Sequence, residues 1–227
     1  MKKFKKIGLI IADERQAIME YFQNSPEWEI CRLSWDCFEV YWAHKEDINI
    51  YILFCGCGEV QAASGVQHLI DKYDVEVILN HGVVGGINPS LKTGDVVIVS
   101  DVIPHQYDLS PLGYEKTVLP KDIMKYTNMD IELVLDVRQY LNIPTAICAS
   151  GDKFLVVEDK KEIWEKYETD ICDMESYGII YTSNVNNIPC ILLKSIADDS
   201  DAAPEEYRET LYESTLRCLK YIEKLIQ

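Results

Sequence analysis

Short apolar runs alternate with segments of helical periodicity through the last two-thirds of the chain, and this alternation is the strongest limit on the fold. Strand-like runs occupy residues 6–11, 75–79, 96–102, 144–149 and 190–196. Helical patterns lie near 16–22, from Gly58 onward, at 130–141, 160–167 and about 175–184, and from Pro204 onward. This order predicts an α/β fold with a mostly parallel or mixed central sheet flanked by helices on both faces.

Residues 28–54 depart from this alternation. Three runs rich in aromatic and β-branched residues follow one another closely, at 28–33, 37–42 and 48–54, and they predict a β-meander. We interpret Trp28, Trp35 and Trp42 as sheet packing. Because no repeat, low-complexity linker or change in composition interrupts the chain, we expect residues 1–227 to form a single domain.

The charge balance is strongly acidic, with 22 Lys and Arg residues against 38 Asp and Glu residues and a formal net charge of −16. Nucleic-acid phosphates and anionic lipids attract basic surfaces, so neither nucleic acid nor a membrane is expected as a partner. No apolar run approaches the ~20 residues of a membrane-spanning helix. The run at 7–12 is shorter than the ~7–15-residue core of a signal peptide. We therefore expect a cytoplasmic protein.

Cysteine usage supports the same compartment. The chain has eight cysteines, and those at 148, 172 and 190 lie in apolar runs, where cysteine packs as a small apolar side chain. Only Cys55 and Cys57 are close in sequence, and the four histidines are scattered. The pattern therefore predicts neither a disulfide framework nor a metal site.

Binding sites of α/β sheets form where strands reach their carboxyl ends. The segments that meet this condition are the turn after Ile11, the glycine cluster at 82–86, residues 150–155 and the acidic cluster at 197–201. A fifth candidate is 172–176, where two carboxylates lie between an apolar strand end and a helix start. We expect a functional site to be assembled from these segments.

Each candidate also has a structural interpretation. The glycine cluster either lets backbone approach a ligand or makes a tight turn. Asp173 and Glu175 either bind sugar hydroxyls or are acids favoured by a helix N-terminus. The acidic residues 198, 199 and 201 supply a general acid of raised pKa, bind a cation or form a solvated loop. Phe154 either stacks on a flat ligand or belongs to the core, and His105 is interpreted as structural or as pocket lining.

Several short stretches, taken together and in order, resemble one family. They are KIGLI at 6–10, CGEV at 57–60, NHGVVGG at 80–86 with LKTGD at 91–95, GYE at 113–115, SGDKF at 150–154, DME at 173–175 and KSIAD at 194–198. They span nearly the whole chain, and they resemble the nucleoside phosphorylase/nucleosidase superfamily, most closely its 5′-methylthioadenosine/S-adenosylhomocysteine nucleosidases. The resemblance implies a nucleoside phosphorylase-like fold, a small-molecule nucleoside substrate, no cofactor and no metal.

The resemblance also implies roles for individual residues. Glu175 would bind the ribose 2′- and 3′-hydroxyls, and Met174 would pack against the sugar. Asp198 would protonate purine N7 as the glycosidic bond breaks, Phe154 would stack on the base, and the backbone near Leu155 would read the base edge. Breaking an N-glycosidic bond builds positive charge on the ribose and negative charge on the base, and an anion and an acid address these two charges.

The chain departs from the family pattern where water is activated. Relatives of the nucleosidase type place a glutamate after the first strand, and ungapped alignment from Ile7 puts Gln16 at that position, with Glu14 two residues earlier. Glutamine cannot take a proton, so either Glu14 substitutes through a shifted turn or water activation is weakened.

Further departures lie on the substrate side of the expected site, which also includes Asp173. Val83 stands where relatives usually have a serine, Lys194 where they usually have an arginine, and Ala197 where a serine normally precedes the catalytic aspartate. Lysine does not reproduce the bidentate hydrogen bonding of arginine. We expect Asp173, Val83 and Lys194 to belong to the substrate-binding part of the site.

The leading hypothesis is a purine nucleosidase that hydrolyses the N-glycosidic bond of 5′-methylthioadenosine, S-adenosylhomocysteine or a related adenosine derivative. The alternative is a phosphate-dependent purine nucleoside phosphorylase with Arg15 as a possible phosphate ligand, although Asn80 and Val83 replace two other anion contacts. A nucleoside-binding protein with a decayed catalytic site, motivated by Gln16 and Val83, is the third. The resemblance further implies a homodimer or larger homo-oligomer in which residues 105–114 reach toward the neighbouring pocket.

Overall fold

Nine strands form one sheet in the computed structural model, which describes residues 4–33, 37–114 and 127–226. The strands are β1 (Lys6–Ile11), β2 (Glu29–Arg32), β3 (Glu39–Lys45), β4 (Ile48–Phe54), β5 (Val77–Gly86), β6 (Val96–Pro104), β7 (Thr145–Ser150), β8 (Ile171–Asp173) and β9 (Cys190–Asp198). Trp35 and Glu115, which belong to the patterns above, lie outside the described residues.

The helices lie where the periodicity predicts them, with bounds that shift by a few residues. They are α1 (Arg15–Asn24), α2 (Glu59–Tyr73), α3 (Ile131–Leu141), α4 (Val157–Tyr167), α5 (Ser176–Val185) and α6 (Pro204–Ile226). Helix α3 shows the local logic. The Asp130 side chain accepts the Leu133 N–H at 3.1 Å and caps its start, while Val134, Val137 and Leu141 bury one face at helical spacing.

The strand order is β2-β3-β4-β1-β5-β8-β7-β6-β9, and β5 also pairs with β9, so that part of the sheet closes on itself. Strand β1 is parallel to β4 and β5, and β7 is parallel to β6 and β8. Strands β2, β3 and β4 are antiparallel neighbours, as expected for a meander. The mixed central sheet confirms the predicted α/β fold class.

Strand β5 continues through the glycine cluster, and every one of its residues is buried. It pairs in parallel with β9 from Ile78 opposite Cys190 to Gly85 opposite Asp198, with an irregularity between Val84 and Gly85. The tight-turn interpretation of the cluster is therefore wrong. The glycines lie inside the sheet, where side chains of neighbouring elements occupy the space that a Cβ would need.

The helices cover the sheet in two groups: α2 packs against α5, whereas α1 and α3 both pack against α6, which itself lies on β5 and β9. The buried aliphatic side chains of the strands supply the main stabilisation, about 1.5–3 kcal/mol for each fully buried side chain. Cys148, Cys172 and Cys190 are buried free thiols, as their apolar contexts predicted. Among the described helices, none has both the length and the apolar character needed to cross a membrane.

Candidate active site

A pocket lies where β1, β5, β8 and β9 end, next to the loop that follows β7 and the first turns of α6. Including the open solvent at its mouth, it spans about 710 Å³. Of the residues expected at the site, it brings together Glu14, Val83, Phe154, Leu155, Asp173, Met174, Glu175 and Asp198. The segments selected as strand ends therefore meet at one place.

Glu175 lies immediately before α5 and is tied to the start of α2. Its Oε1 accepts the Gly58 N–H at 2.9 Å, and its Oε2 accepts the Met174 N–H at 3.3 Å. Burial, with a further contribution from the Asp173 carboxylate, raises the pKa of Glu175 to about 7, although Lys194 opposes this shift. The carboxyl therefore changes charge close to neutral pH, and its ionised form is an acceptor for hydroxyl groups.

Asp173 and Lys194 form a buried ion pair at the end of β8. Lys194 Nζ lies 2.6 Å from Asp173 Oδ2, and the two side chains are only 1% and 2% exposed. The hydroxyl and backbone N–H of Ser176 also donate to the carboxylate. Burial alone would raise the pKa of Asp173, but the charge of Lys194 and these hydrogen bonds hold it below its usual value. Lys194 does not line the pocket and instead supports Asp173 from behind.

Glu14 occupies the last position before α1 and is 5% exposed. Its Oε1 accepts the Val83 N–H at 2.8 Å and its Oε2 accepts the Asp13 N–H at 3.0 Å, which fixes the carboxylate at the pocket wall. Gln16 lies on the exposed side of α1, where its amide donates to Glu20 at 3.0 Å. The expectation that Gln16 belongs to the site is therefore wrong, because α1 begins at Arg15 and turns residue 16 outward.

The expected phosphate contacts are not assembled. Arg15 lies outside the pocket, forms an ion pair with Glu39 and donates to the Tyr41 hydroxyl at 3.1 Å. The Asn80 amide donates to backbone carbonyls, 3.0 Å from that of Ile10 and 3.1 Å from that of His81. Arg15 as a phosphate ligand in this pocket is contradicted by that geometry, since its guanidinium is held by partners on β3.

Asp198 ends β9 and is 2% exposed. Its Oδ2 accepts a hydrogen bond from Lys160 Nζ, whereas its Oδ1 has no hydrogen-bond partner among the described residues. Burial raises the pKa of Asp198, and the ammonium of Lys160 opposes the rise. A carboxyl of raised pKa at a pocket wall has the properties of a general acid.

The rest of the acidic cluster has structural partners. The Asp199 carboxylate accepts the Thr93 N–H at 2.8 Å and the Thr93 hydroxyl at 3.0 Å, and it pairs with Lys92 at 3.1 Å. Asp201 is exposed in the turn before α6. The cluster is therefore divided between one pocket carboxyl, Asp198, and one loop anchor, Asp199.

Aromatic side chains form another part of the wall. Phe154 is 43% exposed, so its assignment to the core is wrong. Its ring meets that of Tyr207 edge-to-face, with centroids 5.6 Å apart, and the Tyr207 hydroxyl donates to the Val83 carbonyl at 3.4 Å. His105 is buried and lines a neighbouring cavity that shares Lys153 and Leu155 with the main pocket.

Two pocket residues lie outside both the strand-end segments and the stretches that resemble the family: Lys160 and Tyr207. Lys160 had a detectable signal, because it precedes the buried Ile163 by three positions on the same face of α4. Tyr207 lies in the first turns of α6, where nothing in the local sequence separates a pocket residue from ordinary helix packing.

The chain matches the family model of the phosphorylase superfamily over residues 6–227. It is 30% identical over 174 residues to the 5′-methylthioadenosine/S-adenosylhomocysteine nucleosidase of Staphylococcus aureus strain JH9, covering 74% of this chain and 76% of the relative. It is 26% identical over 170 residues to the aminodeoxyfutalosine nucleosidase of Campylobacter jejuni, covering 73% of this chain and 74% of the relative.

A solved structure supports the fold. The 5′-methylthioadenosine/S-adenosylhomocysteine nucleosidase of Helicobacter pylori, crystallised with butyl-thio-DADMe-Immucillin-A, superposes with a TM-score of 0.87. The match covers 99% of both chains at 21% sequence identity. The likeness therefore extends over the whole described architecture, including the strand ends that form the pocket.

Proposed function

The chain belongs to the phosphorylase superfamily, and we propose that it is a purine nucleosidase, an N-glycosyl hydrolase acting on 5′-methylthioadenosine, S-adenosylhomocysteine or a related adenosine derivative. The observation that carries this proposal is the meeting of three carboxyl groups, Glu14, Glu175 and Asp198, in one pocket with an exposed aromatic ring, Phe154. The names of the similar proteins, which are nucleosidases of adenosine derivatives, support the substrate class.

The proposed reaction divides these groups between the two sides of the bond that breaks. Asp198 gives its proton to purine N7, so that when the C1′–N9 bond breaks and its electron pair stays on N9, the base leaves C1′ without negative charge. Glu14 takes a proton from the water whose oxygen bonds to C1′. Ionised Glu175 accepts hydrogen bonds from the ribose hydroxyls, and its charge stabilises the positive sugar of the transition state.

The remaining expected residues fit positions around such a substrate. Phe154 offers its ring face to the base, and Leu155 closes the pocket beside it. Met174 packs against the sugar, while Val83 provides the N–H that fixes Glu14. Asp173 acts with Lys194 to hold the segment that carries Glu175.

Hydrolysis is favoured over phosphorolysis by the charges at the pocket wall. The cationic residues that line the described pocket are Lys153 and Lys160, and each already forms an ion pair, with Asp159 at 2.7 Å and with Asp198. An anionic phosphate would meet paired lysines and the carboxylate of Glu14, an arrangement that repels it. A water molecule has no such requirement for a cation.

We also propose a cytoplasmic homodimer or larger homo-oligomer. Leu112 is 73% exposed and Tyr114 is 50% exposed, and both follow the segment from His105 that borders the cavity beside the pocket. A second copy of the chain would remove these apolar side chains from water. Sedimentation velocity should show a dimer or larger species at assay concentrations, and a monomer would contradict the assembly.

Base release is the direct test of the activity. The purified protein is incubated with 5′-methylthioadenosine, S-adenosylhomocysteine, aminodeoxyfutalosine, adenosine and inosine, each with and without phosphate. We expect release of adenine without phosphate and a free sugar as the second product. Release that requires phosphate and yields a sugar 1-phosphate would establish a phosphorylase instead. Ligand-induced thermal stabilisation with no release would support a binding protein with a decayed site.

The assignment of water activation is tested by a matched pair of variants. Glu14→Gln keeps the size of the side chain and an acceptor for the Val83 N–H but removes the base, so turnover should fall by about 100-fold or more. Gln16→Ala changes the residue on the exposed side of α1 and should leave turnover unchanged. The reverse pattern would assign the base to the position that alignment without gaps selects.

A further inference from the structure

Lys160 is a buried lysine in a helix whose other lysines face solvent. It is 2% exposed, its Nζ donates to Asp198 Oδ2, and the same Nζ donates to the Asp199 carbonyl at 3.1 Å. The single ammonium group therefore holds both the side chain of Asp198 and the backbone that follows it. A buried lysine needs such partners, because removing its charge from water is costly.

The surrounding strands leave space for this pair. A Cβ on Gly85 would lie 3.3 Å from Lys160 Cε and 3.3 Å from Asp198 Oδ1, so the absence of a side chain at Gly85 lets lysine and aspartate meet beside β5. On the other side, Asp199 is anchored to Thr93 through the backbone N–H and the hydroxyl. The end of β9 is thus held from two directions, and the Asp198 carboxyl has little freedom to rotate.

From this geometry we propose that Lys160 is a positioning residue for the general acid. It holds Oδ2 of Asp198, so that Oδ1 remains the oxygen that presents the proton to the base, and its charge stabilises the carboxylate left after the proton has moved to purine N7. This inference rests on the proposed nucleosidase function. Lys160 acts through Asp198 in this scheme, and its role is distinct from holding α4 on the sheet.

The charges around Asp198 give the expected direction of its titration. The titratable groups that face it, from α4, α6, β8 and its own segment, are Lys160, Glu206, Tyr207, Cys172 and Asp199. Burial and the neighbouring carboxylates raise the pKa of Asp198, and Lys160 is the group that lowers it. Neutralising Lys160 should therefore raise this pKa further and make the group a weaker acid.

The test measures the Asp198 carboxyl directly, and it does not depend on turnover. The protein is labelled with aspartate carrying ¹³C in the side-chain carboxyl, and the signal lost in Asp198→Asn identifies residue 198. We expect the titration midpoint of this signal to move up by about one pH unit or more in Lys160→Met. Lys160→Arg, which keeps the charge, should stay close to the unmodified protein.

Lys161→Met is the matched control, because Lys161 is the exposed lysine next along the same helix. It should leave the midpoint unchanged. Lys160→Gln provides a second neutral variant if Lys160→Met does not fold, as judged by circular dichroism. An unchanged midpoint in a folded neutral variant would overturn the proposal and leave Lys160 a packing residue.

Kinetics with the released base adds a second readout. In Lys160→Met, kcat should fall by about tenfold or more, because a weaker acid protonates the base less readily. The high-pH limb of the pH profile of kcat/KM should move to higher pH, because Asp198 stays protonated up to a higher pH. A lower kcat with an unmoved limb would indicate a structural role only. If the unmodified protein releases no base, the proposed function fails, and the carboxyl titration still decides whether Lys160 controls Asp198.

Discussion

Two buried lysine–aspartate pairs flank the pocket, and they differ in how many hydrogen-bond partners the two oxygens of each aspartate have. On the side that we propose for the sugar, Asp173 is held by Lys194, by the Ser176 hydroxyl and by backbone N–H groups, and its pKa lies below the usual value. On the side that we propose for the base, Asp198 has Lys160 on one oxygen and no described partner on the other, and its pKa is raised. The same residue types therefore form a fully hydrogen-bonded carboxylate in one place and, in the other, a carboxyl group with one oxygen left without a described partner.

The largest expected effect comes from exchanging the two aspartates for asparagine. Asp198→Asn should lower turnover by about 10²–10⁴-fold, the usual contribution of a general acid, while the asparagine oxygen keeps an acceptor for Lys160 and the fold survives. Asp173→Asn should act mainly on stability, because Asp173 transfers no proton in the proposed reaction. Base release and denaturant unfolding of both variants measure this contrast. Full activity in Asp198→Asn would contradict the proposed role of Asp198 as the general acid.

Replacing each lysine should lower the free energy of unfolding by a different amount in the two pairs. Lys194→Met removes the charge that holds the pKa of Asp173 low, while burial and the hydrogen bonds from Ser176 remain. Asp173 must then either stay a buried, unpaired anion or take up a proton at the expense of those hydrogen bonds, so the free energy of unfolding should fall by about 3–5 kcal/mol. Lys160→Met should cost less, because Asp198 can take up a proton and become neutral. The double variant Lys194→Met/Asp173→Asn should recover part of the loss in urea unfolding. Equal losses for the two lysines would contradict the distinction between the pairs.

Glu175 lines the same pocket as the two aspartates, and its ionisation makes the stability of the fold depend on pH. Its pKa is about 7 in the folded protein against an ordinary value of 4.5. Between these values the folded state binds more protons than the unfolded state, so this group contributes stability at low pH that is lost as pH rises toward 7. Burial and the charge of Asp152 raise the pKa of Glu59 to about 7 as well, so Glu59 contributes to the pH dependence of stability with the same sign.

Glu175→Gln should therefore flatten the fall in unfolding free energy between about pH 4.5 and 7 by about 1–3 kcal/mol. The depressed pKa of Asp173 acts in the opposite direction and only at more acidic pH, where stability is lost as the pH falls. Urea unfolding at a series of pH values measures both regions. An identical slope in Glu175→Gln would show that its carboxyl ionises as it does in the unfolded chain.

Sequence patterns were sufficient for the helices, most strands and the segments of the site, because hydrophobic periodicity and strand-end motifs are local. The closure of β5 onto β9 could not be predicted, since pairing between distant strands leaves no local signal. The same limit affected the glycine cluster, which resembles a turn in sequence and is a buried strand in the structure.

Sequence patterns were less reliable for individual site residues, as Glu14 and Lys160 show. The structure places Glu14 at the pocket where ungapped alignment selects Gln16. Ungapped alignment assumes that the turn after β1 keeps its length, whereas α1 starts at Arg15 and places Glu14 at the pocket. Lys160 stands beside Lys161 in sequence, and lysine in an amphipathic helix is usually solvated. Helical spacing indicates that residue 160 lies on the buried face of α4, but only the structure shows that its ammonium meets the carboxyl group of Asp198.

The smallest expected effects come from the glycines that make room for the two lysines. A Cβ at Gly82 would lie 2.7 Å from Lys194 Nζ, and one at Gly85 would lie 2.9 Å from Cys172 Sγ and 3.3 Å from Asp198 Oδ1. Gly82→Ala and Gly85→Ala should each lower the free energy of unfolding by about 1–3 kcal/mol through overpacking. Only Gly85→Ala should also lower turnover, because it displaces the acid, whereas Gly82→Ala disturbs a clamp behind the pocket. Equal losses of turnover at matched stability would mean that the sugar-side pair is as close to the chemistry as the base-side pair.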